Sequence, residues 1–227
     1  MDKCVDGRRK LINRLLSYGL GIVILALGIT LNTKTGLGVS ALVSIAYTVA
    51  NAWNLNFALM TFLLYTCFAL IEVGLKWGFL PQLRKVLWKD LLQIPFSLAF
   101  SLFLNVFGGI IPVAEHVGAQ IVMLVLAIVC TGIGAAMIVD MHLIPNPADG
   151  LAQTLGMVTK KGMGLGKNLL DCSCVGISAV IGLVARGRLI GIGIGTIAAM
   201  IGVGRVVALF NRCFETKLCR TAGVEKV

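Results

Sequence analysis

LIPNPADGLAQTLG, residues 143–156, is a polar stretch that separates two long apolar runs of the chain. Asn146 is a favoured helix N-cap, Pro147 suits the first helical position, and Asp149 puts a carboxylate in the first turn, where it complements the helix dipole. Gly156 is a typical stop signal. The stretch therefore predicts a short helix that begins at Asn146.

The composition sets the class of protein in which this short helix lies. Of the 227 residues, 58% are hydrophobic and 13% are charged, and the mean hydropathy is +0.94. Soluble domains carry about 25% charged residues. We therefore expect an all-α integral membrane protein with six spans of the length that a bilayer requires. The predicted spans are Ser17–Thr33, Phe57–Leu75, Leu87–Ile111, Val117–Val139, Leu165–Ala185 and Leu189–Phe210.

Basic residues are distributed unevenly between the loops. In an alternating chain, one side receives Lys3, Arg8, Arg9, Lys10, Arg14, Lys76, Arg84, Lys85, Lys89, Lys160, Lys161, Lys167, Arg212, Lys217, Arg220 and Lys226. The other side receives Lys34, Arg186 and Arg188. The positive-inside rule then predicts a cell-membrane protein with both termini cytoplasmic. The net charge of +10 reflects this orientation and does not indicate a nucleic-acid partner.

The two halves of the chain show a weak internal repeat. The segment LGITLNTKTGLGVSALVSIAYTV, from Leu27, aligns with IGAAMIVDMHLIPNPADGLAQTL, from Ile133, at an offset of 106 residues, which rises to 108 at Val73. Each half has the same order: a span, a short segment that starts with a polar residue, and two more spans. Because each repeat has an odd number of spans, the second copy has the opposite orientation in the membrane. Many secondary transporters have such inverted repeats. The predicted units are residues 1–112 and 113–227.

Each repeat is predicted to contain a half-helix, near residues 40–52 and near 146–156. Ser40 is the N-cap in the first copy, and the residues that follow it are almost entirely apolar. A helix of about ten residues spans about 15 Å, half of the hydrocarbon layer. We interpret both as re-entrant half-helices whose N-termini meet near the midplane. The alternative is an amphipathic helix that lies in the membrane interface.

Several motifs resemble a known family. TGLGVSALVSIAY after the first span, LIPNPADGL, GLGKNLLD and GIGIGTIAAMIGVGRVV resemble the bacterial YczE/YyaS/YitT-type membrane proteins over nearly the whole chain. The resemblance implies a multi-pass architecture and does not specify a substrate. That family tends to carry Pro and Asp in the first half-helix as well, whereas this chain has Ala41 and Val43 there.

The Asn-Pro-Ala triplet is also similar to the half-helix motif of aquaporins, which combine six spans with inverted repeats. Here only one copy exists, and Ser-Ala-Leu replaces it in the first repeat. Asp149 also stands where aquaporins usually have Arg. The likeness is local, so an aquaporin-like channel is a lesser alternative.

Polar residues in the spans are candidate site residues, because they are costly in lipid unless they face protein or water. The predicted substrate-binding residues are Ser40, Asn146, Asp149, Asp171, Gln93 and Asn105. The predicted structural or gating residues are Pro145, Pro147, Lys167 and Arg205. Lys167 and Asp171 are four residues apart, so a structural ion pair between them is an alternative to a substrate role for Asp171. Arg205 would snorkel unless it pairs with Asp171 or Asp149.

The sequence offers little for catalysis or metal binding. The two histidines, His116 and His142, have no carboxylate or Cys at catalytic spacing. The seven cysteines include no C-x-x-C pair, and there is no phosphate-binding glycine motif. We therefore expect no enzyme activity, no catalytic residues, no cofactor and no metal site.

The main functional hypothesis is a small secondary transporter or permease for a polar solute, for which an anionic solute is one option. The alternative from another class is a non-transporting regulatory or scaffold protein that uses its basic cytoplasmic surface. The expected partners are a small-molecule solute and the lipid bilayer, and not nucleic acid. A homodimer is left open.

Overall fold

The computed structural model describes residues 2–224, with side chains from Gly7 onward except at Val86. Its α-helices are α1 Asp2–Lys34, α2 Ser44–Trp53, α3 Phe57–Phe79, α4 Leu87–Leu91, α5 Gln93–Ile110, α6 Val117–Asp140, α7 Pro147–Val158, α8 Met163–Arg186, α9 Ile194–Phe210 and α10 Thr216–Ala222. Single 3-10 segments, Ala41–Val43 and Pro81–Val86, precede α2 and α4, and a π-turn, Asn211–Glu215, joins α9 to α10. Lys226 and the side chain of Lys3, both assigned above to the cytoplasmic side, lie outside the described residues.

Six helical stretches are long and apolar enough to cross a membrane, which agrees with the six predicted spans. They are Gly7–Lys34, Phe57–Phe79, Leu87–Ile110, Val117–Asp140, Met163–Arg186 and Ile194–Ala222. Large apolar side chains are exposed along them; Val184 is 83% exposed and Ile194 is 81% exposed. Such a surface is stable in lipid and not in water. The chain is therefore a multi-pass membrane protein.

The sixth span begins five residues later than predicted. The segment before α9 is extended, because its backbone pairs with the loop that follows α1. The Val39 amide donates to the Gly191 carbonyl at 2.8 Å, and the Gly195 amide donates to the Leu37 carbonyl at 2.8 Å. Gly191 has φ +71°, a left-handed conformation that glycine adopts without strain.

Helices α1 and α6 pack together along their length in opposite directions. Arg14, near the start of α1, donates to the Met141 carbonyl beyond the end of α6 at 2.8 Å. At the other end, the Ala114 amide donates to the Lys34 carbonyl at 2.9 Å. The helices meet at two glycines, since a Cβ atom on Gly28 or Gly134 would lie 2.5 Å from a backbone nitrogen of the facing helix.

The two short helices, α2 and α7, have similar entries. The entries begin at Ser40, before the 3-10 turn that leads into α2, with φ −57° and ψ 138°, and at Asn146, directly before α7, with φ −58° and ψ 135°. Asn146 Oδ1 accepts from the Ala148 amide at 3.4 Å, as its predicted N-cap role requires. Ser40 occupies the predicted N-cap position, but it precedes a tight 3-10 turn and its side chain makes no cap hydrogen bond.

Helix α7 also runs two residues past Gly156, the predicted stop, and ends at Val158. Gly156 packs against the backbone of Gly162, so its small size serves a close contact and not the helix end. Helix α7 packs on α3 and α8, and α2 packs on α8 and α3.

Aromatic residues form part of the buried core between α3 and α5. Tyr65 and Phe100 are both fully buried and stack with ring centroids 5.5 Å apart. At the cytoplasmic end of the predicted topology, α10 packs on α1, where Asn13 Nδ2 donates to the Thr221 carbonyl at 3.3 Å. The first and last described segments therefore lie at the same end of the helix bundle.

Candidate functional site

A small cavity of about 40 Å³ lies among α1, α3, α6, α7, α8 and α9. We call it the central cavity. Its polar lining consists of Ser40, Tyr65, Thr131, Asn146, Asp149, Lys167 and Asp171, and its apolar lining includes Leu25, Ile29, Ala135 and Ala199. The structure thus brings four of the six predicted substrate-binding residues to one place.

The entries of both short helices, α2 and α7, lie at the central cavity. Ser40 precedes the 3-10 turn that leads into α2, and Asn146 precedes α7. The first amides of a helix lack backbone acceptors and carry partial positive charge. The central cavity is therefore lined by two helix N-termini, which favour an anionic or strongly polar group.

Lys167 pairs with a different carboxylate from the one that the sequence predicts. Its Nζ lies 3.7 Å from Asp149 Oδ1, and no salt bridge within the described chain joins it to Asp171. The alternative of a Lys167–Asp171 ion pair is not found among the salt bridges of the described residues, because α7 packs on α8 and its first turn brings Asp149 close to Lys167. Asp149 also lines a second cavity of about 330 Å³, with Pro145, and so lies between the two.

Asp171 is buried, and one of its carboxylate oxygens has no hydrogen-bond partner among the described residues. The residue is 4% exposed, and its Oδ1 atom accepts no hydrogen bond from the described residues. The Tyr65 hydroxyl on α3 is fully buried and makes no well-formed hydrogen bond within the same part of the chain. Buried polar groups are rarely left unpaired, so these atoms mark a position where a small polar species is expected.

Gln93 is buried outside the central cavity, in a polar network. Its Nε2 atom donates to Glu72 Oε2 at 2.9 Å, and Thr154 Oγ1 donates to Glu72 Oε1 at 3.2 Å. Lys76 Nζ lies 2.7 Å from Glu72 Oε1 and 2.8 Å from Asp90 Oδ1. The network ties α7 to α3, α4 and α5, and it leaves Gln93 Oε1 without a partner among the described residues.

Glu72 is the important polar residue that the sequence analysis missed. It is 1% exposed, in the middle of the apolar second span. An ionisable residue inside a span is by itself a signal of function or of a buried pair. Lys76, one helical turn further on, would have been the natural partner to consider.

Asn105 lies apart from the central cavity, at the opposite end of α5 from Gln93. It is exposed, and its Oδ1 atom accepts from Asn56 Nδ2 at 2.9 Å. Both residues line an open cavity of about 570 Å³ with Lys34 and Tyr47. Ser97 and Ser101, which lie between Gln93 and Asn105 on α5, are buried.

The remaining predicted residues occupy simpler positions. Pro147 is the buried first residue of α7. Arg205 is exposed on α9, and none of the salt bridges found among the described residues involves it, as expected for a side chain that snorkels. Within residues 2–224, no group of three or more His, Cys, Asp or Glu side chains is arranged to hold a metal ion.

Comparison with known proteins identifies a family and no individual relative. A family model described as a family of unknown function, DUF6198, matches residues 12–212. No curated protein matches the chain. No solved structure matches it. The more specific resemblance to the YczE/YyaS/YitT-type proteins stays a prediction.

Proposed function

The chain belongs to the DUF6198 family, and we propose that it is a secondary transporter that binds a small polar solute at the N-termini of its two half-helices. The observation that carries this proposal is that Ser40 and Asn146 line the same central cavity. Two helix N-termini at one point provide donors and positive potential for a solute with an anionic group. We further propose that the chain has no enzyme activity and needs no cofactor.

The inverted repeat belongs to the same proposal, and the lining of the central cavity supports it. Four pairs of lining residues are each separated by 106 residues, the offset found in the sequence: Leu25 and Thr131, Ile29 and Ala135, Ser40 and Asn146, Tyr65 and Asp171. A cavity lined by equivalent positions of both halves is expected if it lies on a pseudo-two-fold axis. Residues 1–112 and 113–227 are then the two repeats.

Two sets of contacts repeat with the same offset. Thr48 Oγ1 lies 2.6 Å from Ser178 Oγ, and Thr154 Oγ1 lies 3.2 Å from Glu72 Oε1. Thr154 is 106 residues after Thr48, and Ser178 is 106 residues after Glu72. Each half-helix is thus bonded to a span of the other half. The offset of 108 in the sequence alignment does not describe these contacts.

The crossing of α1 and α6 shows the same relation. A Cβ atom on Gly28 would meet the Thr131 nitrogen, and one on Gly134 would meet the Leu25 nitrogen. Gly134 and Thr131 each lie 106 residues after their counterparts, Gly28 and Leu25. The two contacts are therefore equivalent under an exchange of the halves.

The depth of the central cavity supports re-entrant half-helices over interfacial ones. Tyr65 and Asp171 line it, and each lies eight residues after the first residue of its span. At 1.5 Å per residue this is about 12 Å from the span end, near the middle of a hydrocarbon core of about 30 Å. A helix in the interface would not reach this level.

Two larger cavities suggest how the solute would reach the site. The cavity of about 330 Å³ lies at the end of α6 and shares Asp149 with the central cavity, and the cavity of about 570 Å³ lies at the end of α1. Since α1 and α6 are antiparallel, these cavities open at opposite ends of the bundle. We propose that alternating access connects the central cavity to one and then to the other.

We propose that the protein lies in the cell membrane with both termini in the cytoplasm. This orientation follows from the distribution of Lys and Arg. The partners are the solute and the bilayer, without nucleic acid, and a homodimer is compatible with the proposal. A regulatory or scaffold protein and an aquaporin-like channel are the competing functions, and both would leave the central cavity without a solute to carry.

A thermal-shift screen of metabolites on the purified protein tests the proposal. We expect a solute class that raises the melting temperature of the wild type. Ala199 is 2% exposed and lines the central cavity, so Ala199→Leu fills it and should abolish the shift. Ala119→Leu, on the exposed face of α6, is the matched control and should keep it. A solute that stabilises both variants equally binds elsewhere and contradicts the proposed site.

A further inference from the structure

The central cavity contains a carboxylate whose charge is not balanced. Asp171 is 4% exposed, and its Oδ1 atom has no hydrogen-bond partner in the described part of the chain. Burial of an ionised carboxylate is costly unless the charge is paired. Lys167, the cation on the same helix, forms its salt bridge with Asp149 at 3.7 Å and also acts electrostatically on Asp171, so one lysine faces two carboxylates. The cavity therefore lacks one positive charge, which would neutralise the carboxylate of Asp171.

The other polar groups around Asp171 are sources of oxygen ligands. Tyr65 and Ser40 both line the cavity, and each carries a hydroxyl group. The Tyr65 hydroxyl makes no well-formed hydrogen bond, and the Ser40 side chain forms no helix cap. The Thr131 hydroxyl group belongs to a third lining residue. A carboxylate with several hydroxyl oxygens is a donor set that hard cations prefer.

The size of the central cavity limits its occupant. In this conformation a volume of about 40 Å³ admits a bare cation or one or two waters, and the proposed alternating access would have to widen the cavity before a larger solute could enter. The charge of the occupant is limited as well, since one positive charge neutralises Asp171 and a second would have no counter-ion. The first limit favours a small inorganic cation, and the second favours a monovalent one.

We propose that the central cavity binds a sodium-sized monovalent cation at Asp171, with the hydroxyl oxygens of Ser40 and Tyr65 as further ligands. This inference rests on the proposed transport function, because the cation would be the coupling ion. Its binding can be measured without knowledge of the solute.

The cation would prepare the site for an anionic solute. Each half-helix N-terminus contributes about half an elementary positive charge, and the Asp149–Lys167 pair is neutral, so Asp171 offsets the two termini. A bound cation cancels the charge of Asp171 and restores the positive potential at the termini. By linkage, the cation then raises the affinity for the anionic solute, and the solute raises the affinity for the cation by the same factor.

Sodium binding to the purified full-length protein tests the inference. Sodium replaces choline at constant ionic strength and pH, and both the melting temperature and bound ²²Na⁺ are recorded. We expect a saturable rise in melting temperature of about 3 °C or more at saturating sodium. Asp171→Asn should lose the rise and the bound ²²Na⁺. Glu115→Gln, an equal change of charge on an exposed loop, should keep both.

Two milder variants keep the test decisive if Asp171→Asn does not fold. Tyr65→Phe and Ser40→Ala each remove one hydroxyl oxygen and should weaken sodium binding by about tenfold. Wild-type protein that is equally stable in sodium and choline, but whose stability changes with pH, would overturn the inference in favour of a proton on Asp171. Sodium binding that survives all three substitutions would also overturn it. Neither result bears on whether a solute binds, which the metabolite screen decides separately.

Discussion

Asp149 illustrates at the scale of one residue how a helix signal and a site residue differ. The sequence assigns it to the first turn of a helix, and the structure confirms that position. Its pairing with Lys167 and its place between two cavities depend on how α7 packs on α8, which the local pattern does not contain.

Substitution of Asp149 separates these roles. Asp149→Asn should cost no more than about 1 kcal/mol of stability, the typical value of a carboxylate at a helix N-terminus, because the side chain is partly exposed. We expect the folded, monodisperse variant to lose solute uptake. Thermal unfolding and uptake in proteoliposomes measure the two effects.

Two comparisons sharpen the result for Asp149. The double variant Asp149→Asn with Lys167→Gln removes the ion pair as a whole, and we expect it to remain inactive. Val43→Thr, 106 residues earlier, should keep uptake, with a loss of stability of about 1–3 kcal/mol because it buries a hydroxyl group. Normal uptake by Asp149→Asn at every pH, or recovery of uptake in the double variant, would reduce Asp149 to a structural partner of Lys167.

Glu72 is the residue that sequence reasoning missed, and its role is predicted to be structural. Glu72→Gln weakens charged hydrogen bonds to Lys76, Gln93 and Thr154, while Lys76 keeps Asp90. We expect a loss of stability of about 1–3 kcal/mol in thermal or chemical unfolding. Glu115→Gln should change stability by less than about 0.5 kcal/mol. Equal stability of both variants would show that the network does not hold α7 in place.

At the scale of elements, the half-helix at Asn146 was predictable because its cap, proline and first-turn carboxylate are local signals. The 3-10 turn after Ser40 was not, since no residue type there specifies it. The salt-bridge partner of Lys167 and the network around Glu72 were also beyond prediction, because each joins helices that are distant in sequence.

The crossing of α1 and α6 gives a prediction at this scale. Gly28→Ala and Gly134→Ala each push a Cβ atom into the facing backbone, so both should be destabilising by similar amounts, about 1–3 kcal/mol. Gly176 lies in α8, and a Cβ atom added there would have no neighbouring atom within 4 Å. Gly176→Ala should therefore be neutral or stabilising by up to about 1 kcal/mol. Unfolding curves in detergent compare the three. A strong effect at only one of the two crossing glycines would contradict their equivalence.

At the scale of the whole molecule, the membrane class and the six spans follow from composition and the lengths of apolar runs. The proposed relation between the halves appears in the sequence only as a weak offset of 106, and the contacts of Thr48 and Thr154 have the same offset. From Val73 onward the sequence alignment of the two halves changes to an offset of 108, because few identical residues remain in the later spans to fix it.

The orientation can be tested by labelling single cysteines from outside the cell, in a background without the native cysteines. Positions 115 and 188 should react with a membrane-impermeant reagent, and positions 85, 160 and 217 should react only after permeabilisation. Position 160 follows the second half-helix, so its exposure outside the cell would contradict the inverted repeat.

Solute counterflow in proteoliposomes tests the transport proposal most directly. Vesicles are loaded with the unlabelled solute that stabilises the protein, and a trace of labelled solute is added outside. A carrier with one alternating site predicts a transient accumulation of label above equilibrium in wild-type vesicles, retained with Ala119→Leu and absent with Ala199→Leu. Entry of label without an overshoot would indicate a channel, and no entry despite solute binding would indicate a regulatory protein; either result contradicts the account.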